Sequence, residues 1–214
     1  MALFFLVSGL LLLSAYLLGS IPNGYLLGRA LKGIDIREHG SGSTGATNVL
    51  RTVGKGAALA VLLLDAAKGA LSVALIDGCY TFYPQWLPPG WQPWLATAAA
   101  FTAIVGHSKS IWINFTGGKS VATGLGVLLV MSPLVAGGTL AVFIIVLALT
   151  RIVSLSSIAA AIAVNLWLIA LHQPIPYLLF GGIAGTYVIL RHRSNIERLL
   201  AGTEPKIGQK LTQE

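Results

Sequence analysis

The residues able to do chemistry in this 214-residue chain fall into three short runs rich in glycine, hydroxyls and cations. The first is Gly40-Ser41-Gly42-Ser43-Thr44-Gly45-Ala46-Thr47-Asn48-Val49-Leu50-Arg51. Glycines let successive backbone N–H groups, that of Gly42 among them, converge on an anion. Ser41, Ser43, Thr44 and Thr47 add hydroxyl donors and Asn48 an amide. Arg51 can grip a phosphate with two N–H groups. The run matches G-x-G-x-x-G, but a dinucleotide fingerprint needs a preceding strand and a βαβ unit. Here a long apolar segment and a charged linker precede it. The anion-nest chemistry survives without the nucleotide fold.

The second run is Gly106-His107-Ser108-Lys109-Ser110-Ile111-Trp112-Ile113-Asn114-Phe115-Thr116-Gly117-Gly118-Lys119-Ser120. Gly118-Lys119-Ser120 has the form of a phosphate-loop tail, yet the glycine required five residues earlier is Ile113, so the Walker reading fails. What remains is a lysine beside two glycines at the start of an apolar helix, an arrangement suited to an anion. Lys119 also fits an interfacial anchor whose stem lies along apolar surface. His107 closes an apolar segment and can cap it or bind a charged group.

The third run is Arg191-His192-Arg193-Ser194-Asn195-Ile196-Glu197-Arg198-Leu199-Leu200-Ala201-Gly202-Thr203-Glu204-Pro205-Lys206. Its arginines read as a positive stop after the last apolar segment. His192 and Asn195, three apart, are neighbours on one helical face and can act on one substrate. Glu197 lies five residues from His192 and diverges from it in azimuth. Two smaller features complete the set. Asp65 and Lys68 stand three apart inside an apolar segment, where charges are costly and pair. Ser154, Ser156 and Ser157 follow Arg151 at a helix entrance, as caps or as substrate hydroxyl contacts.

The elements that must position these runs are membrane helices. Hydrophobic residues make up 55% of the chain and charged residues 10%, against about 25% charged in an average soluble domain. Apolar segments span roughly 3–28, 56–77, 93–107, 120–134, 137–150, 155–171 and 176–190, several below the roughly 20 residues of a perpendicular crossing. The first is interrupted at Gly19-Ser20-Ile21-Pro22-Asn23-Gly24, and broken helices at membrane depth face protein or a cavity. The expectation is an all-α integral membrane protein of about seven transmembrane helices, forming a single polytopic domain over residues 1–214.

Charge sets the orientation. The net charge is +7, and every Lys and Arg except Lys68 falls in 29–55, 108–119, 151–154 or 191–214. The positive-inside rule assigns those stretches to the cytoplasm, with the N-terminus outside and the C-terminus inside. The motif loops 29–55, 106–120 and 191–208 then share the cytoplasmic face. Tyr80, Tyr83, Trp86, Trp91 and Trp94 suit an aromatic belt at the outer interface. The cations do not form a stripe of the kind that binds nucleic acid; membrane lipid and an anionic, phosphorylated substrate are the better partners. Cys79 is the only cysteine, so no disulfide framework exists, and no metal-ligand spacing appears.

Gly40-Ser41-Gly42 through Arg51, Leu64-Asp65 with Lys68-Gly69, Gly106-His107 with Gly117-Gly118-Lys119-Ser120-Val121-Ala122-Thr123, and Arg191-His192-Arg193 through Glu204 together resemble the bacterial acyl-phosphate:glycerol-3-phosphate acyltransferases, the PlsY family. The likeness covers nearly the whole chain in the right order. Ser43-Thr44 and Ser108-Lys109 depart from the usual residues, and Gly-Lys-Gly is more usual than Gly118-Lys119-Ser120. The resemblance implies transfer of an acyl group from acyl phosphate to the 1-hydroxyl of sn-glycerol 3-phosphate in the bacterial cytoplasmic (inner) membrane. It implies lysophosphatidic acid as product and no metal or cofactor. Ser41, Lys119, His192 and Asn195 are the expected catalytic residues. Gly42, Thr47, Asn48, Arg51, His107, Gly118 and Ser157 join them in binding substrate and phosphate. His192 is a general base or, if a substrate phosphate takes the proton, a binding residue. The alternatives are an acyl-CoA enzyme and a transporter of a phosphorylated solute, for which a broken helix and intramembrane charges are permissive.

Overall fold

The computed structural model describes residues 1–209; Lys210, counted above with the basic side, lies outside them. The chain forms two compact units, Met1–Pro133 and Leu134–Glu214. Among the described residues the regular elements are helical, apart from an isolated bridge between Ser110 and Thr116.

In the first unit α1 (Ala2–Ser20) and α2 (Asn23–Lys32) meet at the expected break. Pro22 lacks an N–H and its ring clashes with the preceding turn, so it cannot continue α1. The stretch written as a loop, 29–55, is more ordered than its composition implies. It contains the end of α2, a 3₁₀ turn at Ile36–Glu38 and the short helix α3 (Ala46–Thr52). Next come α4 (Lys55–Phe82), α5 (Gln92–Ser108) and α6 (Val121–Met131). The helix α4 outruns the apolar segment 56–77 by a turn at its C-terminal end.

Small residues decide the packing. Ala15, Ala99 and Ala103 are fully buried where α1 lies against α5. The two run parallel: Phe4 meets Trp91 edge to face at one end, and the Ser110 hydroxyl donates to the Ser20 carbonyl at the other (2.5 Å). The helix α4 packs on α6, α5 and α1. The aromatics expected at a membrane interface therefore gather at one end of this unit, with Tyr83 stacked on Trp86 at 4.3 Å. The basic loops gather at the other.

The expected fourth segment, 120–134, runs past its real end. The helix α6 stops at Met131, and Pro133 opens α7 (Pro133–Thr150) after a single residue, Ser132. Proline is tolerated in the first turn of a helix and excluded from its interior, so residues 135–136, which separate the expected fourth and fifth segments, are already helix. In the second unit α8 (Val153–Ala170) and α9 (Ile175–Arg191) pair closely. Ala160, Ala161, Val164 and Leu168 from α8, and Phe180, Ala184 and Val188 from α9, are buried. The amphipathic α10 (Arg193–Leu200) lies against both.

Each of the seven apolar segments is largely helical, the first split between α1 and α2 and the fourth broken at Ser132. Among the described residues four stretches are long and apolar enough to cross a membrane: Ala2–Lys32, Lys55–Phe82, Pro133–Thr150 and Val153–Ala170. The helices Val121–Met131 and Ile175–Arg191 are apolar but shorter.

Candidate functional site

The glycine-serine run forms a loop built around one side chain. Asn48 is 1% exposed and stands in the first turn of α3. Its amide nitrogen donates to the carbonyls of Ile36 (3.1 Å), His39 (3.0 Å) and Ser43 (2.9 Å). Its oxygen accepts from the Ser41 backbone N–H (2.9 Å). A polar residue expected to contact substrate therefore organises the whole turn. Gly40 has φ +60°, and a Cβ there would strike the Asn48 oxygen, so only glycine lets the backbone pass this close. Ser41 and Gly42 are exposed at the loop's crest, Thr47 is half-buried in the first turn of α3, and Arg51 is half-buried in its last turn.

Arg37 ties this loop to the next. Its guanidinium forms a fork with Asp35, Nε to Oδ1 at 3.0 Å and Nη2 to Oδ2 at 2.7 Å. Its Nη1 donates to the Ile113 carbonyl (3.2 Å), and it lies over the Tyr25 ring. The Arg37 hydrogen bond outweighs the opposing effect of burial and holds the Asp35 carboxyl at a pKa of about 2. Nothing in the local pattern marked this pair, because both residues read as ordinary linker charges.

The second run folds back on itself between Ser110 and Thr116. Its carboxyl end, Gly117-Gly118-Lys119, returns to the end of α5, where the Gly118 N–H donates to the His107 carbonyl (3.2 Å). A Cβ on Gly118 would occupy the position of the His107 imidazole at Nε2. His107 is buried, and Lys119, directly after Gly118, is half-buried.

Behind His107 lies a polar cluster, Asp65 and Lys68 being 2% and 4% exposed. The expected pair is present, Lys68 Nζ lying 2.9 Å from Asp65 Oδ1, but it has further members. Asn23 donates to the same oxygen (2.9 Å), and His107 Nδ1 stands 3.7 Å from it. Lys68 also donates to the Ile21 carbonyl (2.6 Å), an acceptor released by the break in the first helix. Sequence reading missed Asn23; a polar side chain directly after the helix-breaking proline was the available signal.

In the second unit the third run is organised by an acid that local reading left without a role. Glu204 is buried. Its Oε1 accepts from Asn195 Nδ2 (2.7 Å) and the Ser154 hydroxyl (2.8 Å), and its Oε2 accepts from Arg198 Nε (2.7 Å). Burial pushes this carboxyl up, and the three donors more than offset it, leaving it below the ordinary range. Asn195 is thereby fixed in orientation. Glu197 instead pairs with Arg193 at the surface. Ser157 is buried with its hydroxyl bonded to the Val153 carbonyl (2.9 Å). His192, also buried, stands between α9 and α10 with Nδ1 2.7 Å from the Val188 carbonyl in the last turn of α9. A carbonyl can only accept, so Nδ1 carries the hydrogen and Nε2 is the basic nitrogen of the neutral ring. The structure thus groups Ser41, Gly42, Thr47, Asn48 and Arg51 on one loop and helix, and brings Gly118 on the loop before α6, one residue ahead of Lys119, against His107 at the end of α5. Ser157, His192 and Asn195 belong to the second unit.

Comparison with known proteins gives a consistent result. The glycerol-3-phosphate acyltransferase family profile matches residues 9–202. A glycerol-3-phosphate acyltransferase of Rippkaea orientalis is 64% identical over 97% of this chain and 96% of its own length. That of Crocosphaera subtropica is 61% identical over 98% of each. Among solved structures, PlsY (YgiH), an integral membrane glycerol 3-phosphate acyltransferase in its glycerol 3-phosphate form, superposes with a TM-score of 0.85 at 38% identity, covering 94% of this chain and 96% of that one. Its lysophosphatidic acid form gives 0.83 at 37% identity, with the same coverage.

Proposed function

Because this chain belongs to the glycerol-3-phosphate acyltransferase family, we propose that it transfers an acyl group from acyl phosphate to the 1-hydroxyl of sn-glycerol 3-phosphate, forming lysophosphatidic acid and phosphate. The observation that carries this reading is the Asn48-centred loop, a hydrogen-bonded turn that exposes Ser41 and Gly42 and leads into the short helix whose last turn carries Arg51. Such a turn suits a phosphate monoester. The two ligand forms of the solved relatives differ by one acyl group, which supports the acceptor and the product.

Acyl phosphate is a mixed anhydride, so its leaving group is already good and no acyl-enzyme is needed. The glycerol hydroxyl oxygen attacks the acyl carbon. The ester C–O bond forms, the anhydride C–O bond breaks, and phosphate departs with the electron pair. The hydroxyl proton passes to Nε2 of His192, the nitrogen left basic by the Nδ1 contact to Val188. Arg51 and Lys119 hold phosphates, and Ser41, Thr47, Ser157 and Asn195 place hydroxyls and oxygens. Asn48 shapes the loop, and His107 and Gly118 set the turn before Lys119. Orientation of bound reactants is worth roughly 7–11 kcal/mol in favourable cases, and donors aimed at the developing oxyanion add to it.

The protein acts as one polytopic domain crossing the bacterial inner membrane seven times, with its N-terminus outside. The motif loops 29–55, 106–120 and 191–208 face the cytoplasm, where acyl phosphate and glycerol 3-phosphate are met. The confinement of lysine and arginine to one set of connections, Lys68 excepted, supports this orientation.

Purified protein incubated with radiolabelled glycerol 3-phosphate tests the reading. Acyl phosphate yields labelled lysophosphatidic acid and acyl-CoA does not. Product from acyl-CoA alone overturns the donor assignment, and uptake into sealed liposomes without chemistry overturns the enzyme.

A further inference from the structure

We infer that Asn23, Asp65 and Lys68 form a buried brace that holds the His107 imidazole against the Gly117–Lys119 turn, making Asp65 a positioning residue for Lys119. The inference rests on the reading of Lys119 as a phosphate-holding cation. An ion pair at membrane depth is costly, and its desolvation is repaid only when further hydrogen bonds satisfy its remaining atoms. Here Asp65 Oδ1 and the Lys68 ammonium take partners from separate elements. Asp65 Oδ1 takes Asn23 Nδ2 from α2 at 2.9 Å and Lys68 Nζ from its own helix at 2.9 Å. Lys68 is fixed in turn by the Ile21 carbonyl at 2.6 Å. The Ser72 hydroxyl donates to the Lys68 carbonyl at 2.7 Å, locking the turn that carries the lysine.

The brace ends on His107. The imidazole is buried with Nδ1 3.7 Å from Asp65 Oδ1, and its opposite edge, at Nε2, fills the space that a side chain on Gly118 would need. The carbonyl of the same histidine accepts the Gly118 N–H at 3.2 Å. Ring and main chain of one residue thus fix Gly118 from two directions, one residue before Lys119. Fastening the broken first helix to α4 requires only the contacts of Asn23 and Lys68. The alignment of His107 between the Asp65 carboxylate and Gly118 extends the cluster from the helix break to the glycine turn.

A double-mutant cycle distinguishes positioning from simple structural support. Displacement of a site group by about 1 Å costs on the order of 10²-fold, so Asp65→Asn is expected to lower kcat/KM for glycerol 3-phosphate by roughly that factor, with helix content and monodispersity in detergent retained. Because Asp65 acts through the turn that carries Lys119, adding Asp65→Asn to Lys119→Ala produces almost no further loss. Two independent defects would multiply. Asn23→Ala removes a neutral donor and leaves the ion pair; it gives a smaller loss with the same non-additivity, and it decides the matter if Asp65→Asn does not fold. Full multiplication with Lys119→Ala, or unchanged kcat/KM in the folded single variants, overturns the brace. If Lys119→Ala itself retains full kcat/KM, the phosphate-holding reading of Lys119 has failed instead.

Discussion

Glu204 offers the sharpest test of how the second unit holds its site residues. The perturbation is Glu204→Ala. The carboxylate accepts hydrogen bonds from Ser154, Asn195 and Arg198 at 2.7–2.8 Å and is buried. Hydrogen bonds to a charged group contribute about 1.5–3 kcal/mol each, but the sum over three overstates the loss. Arg198 is 38% exposed at its side chain and recovers much of its interaction from water. The two buried donors, Asn195 and Ser154, lose their acceptor inside the protein. Removing one partner of a buried charged network costs about 3–5 kcal/mol, and Glu204→Ala is expected to fall in that range. Glu204→Gln keeps an oxygen for Ser154 and Asn195 but turns an N–H₂ toward Arg198, so its cost is expected near 1–2 kcal/mol. The assay is thermal unfolding followed by far-ultraviolet circular dichroism in detergent, with kcat/KM measured on the folded fraction. The order wild type, Gln, Ala should hold in both readouts, because Asn195 loses its anchor as stability falls. A Glu204→Ala protein as stable and as active as the parent would refute the reasoning, as would Gln costing more than Ala.

Three further outcomes follow from the same geometry. Asn48→Ala removes four hydrogen bonds from one turn and should destabilise the protein by about 2–4 kcal/mol at roughly 1 kcal/mol per bond; hydrogen exchange at residues 36–45 should accelerate while that of α4 does not. His192→Ala should lower kcat by about 10²–10⁴-fold, the range for a positioned proton acceptor, and remove the acid limb of the pH profile; a raised KM with kcat unchanged makes His192 a binding residue. Asp35, held near a pKa of 2 against an ordinary 3.8, binds its proton less readily folded than unfolded. Its contribution is therefore complete above about pH 4 and is lost as the pH falls through about 2. In Arg37→Ala that dependence should shrink, which unfolding temperatures between pH 5 and pH 2 measure directly.

Much of this molecule is written in short windows of its sequence. Hydropathy and charge are properties of neighbouring residues, so the apolar segments, the break at Pro22 and the confinement of lysine and arginine to one set of connections are all legible locally. The glycine, hydroxyl and cation content of the three runs is legible in the same way, and so is their suitability for an anion. Even the Asp65–Lys68 pair follows from a spacing of three. What tertiary structure alone decided is which atoms meet. Asn48 became the organiser of a loop rather than an exposed donor because carbonyls from Ile36, His39 and Ser43 converge on it. Asp65 acquired Asn23 from 42 residues away, and Glu204 acquired Ser154 from 50 residues away. A hydrogen bond depends on distance and angle to within a fraction of an ångström, and those are set by how helices pack. Composition determined that this chain would enter a membrane and suit an anionic ligand; the packing of small residues between helices determined which polar groups are buried against one another and which stay exposed.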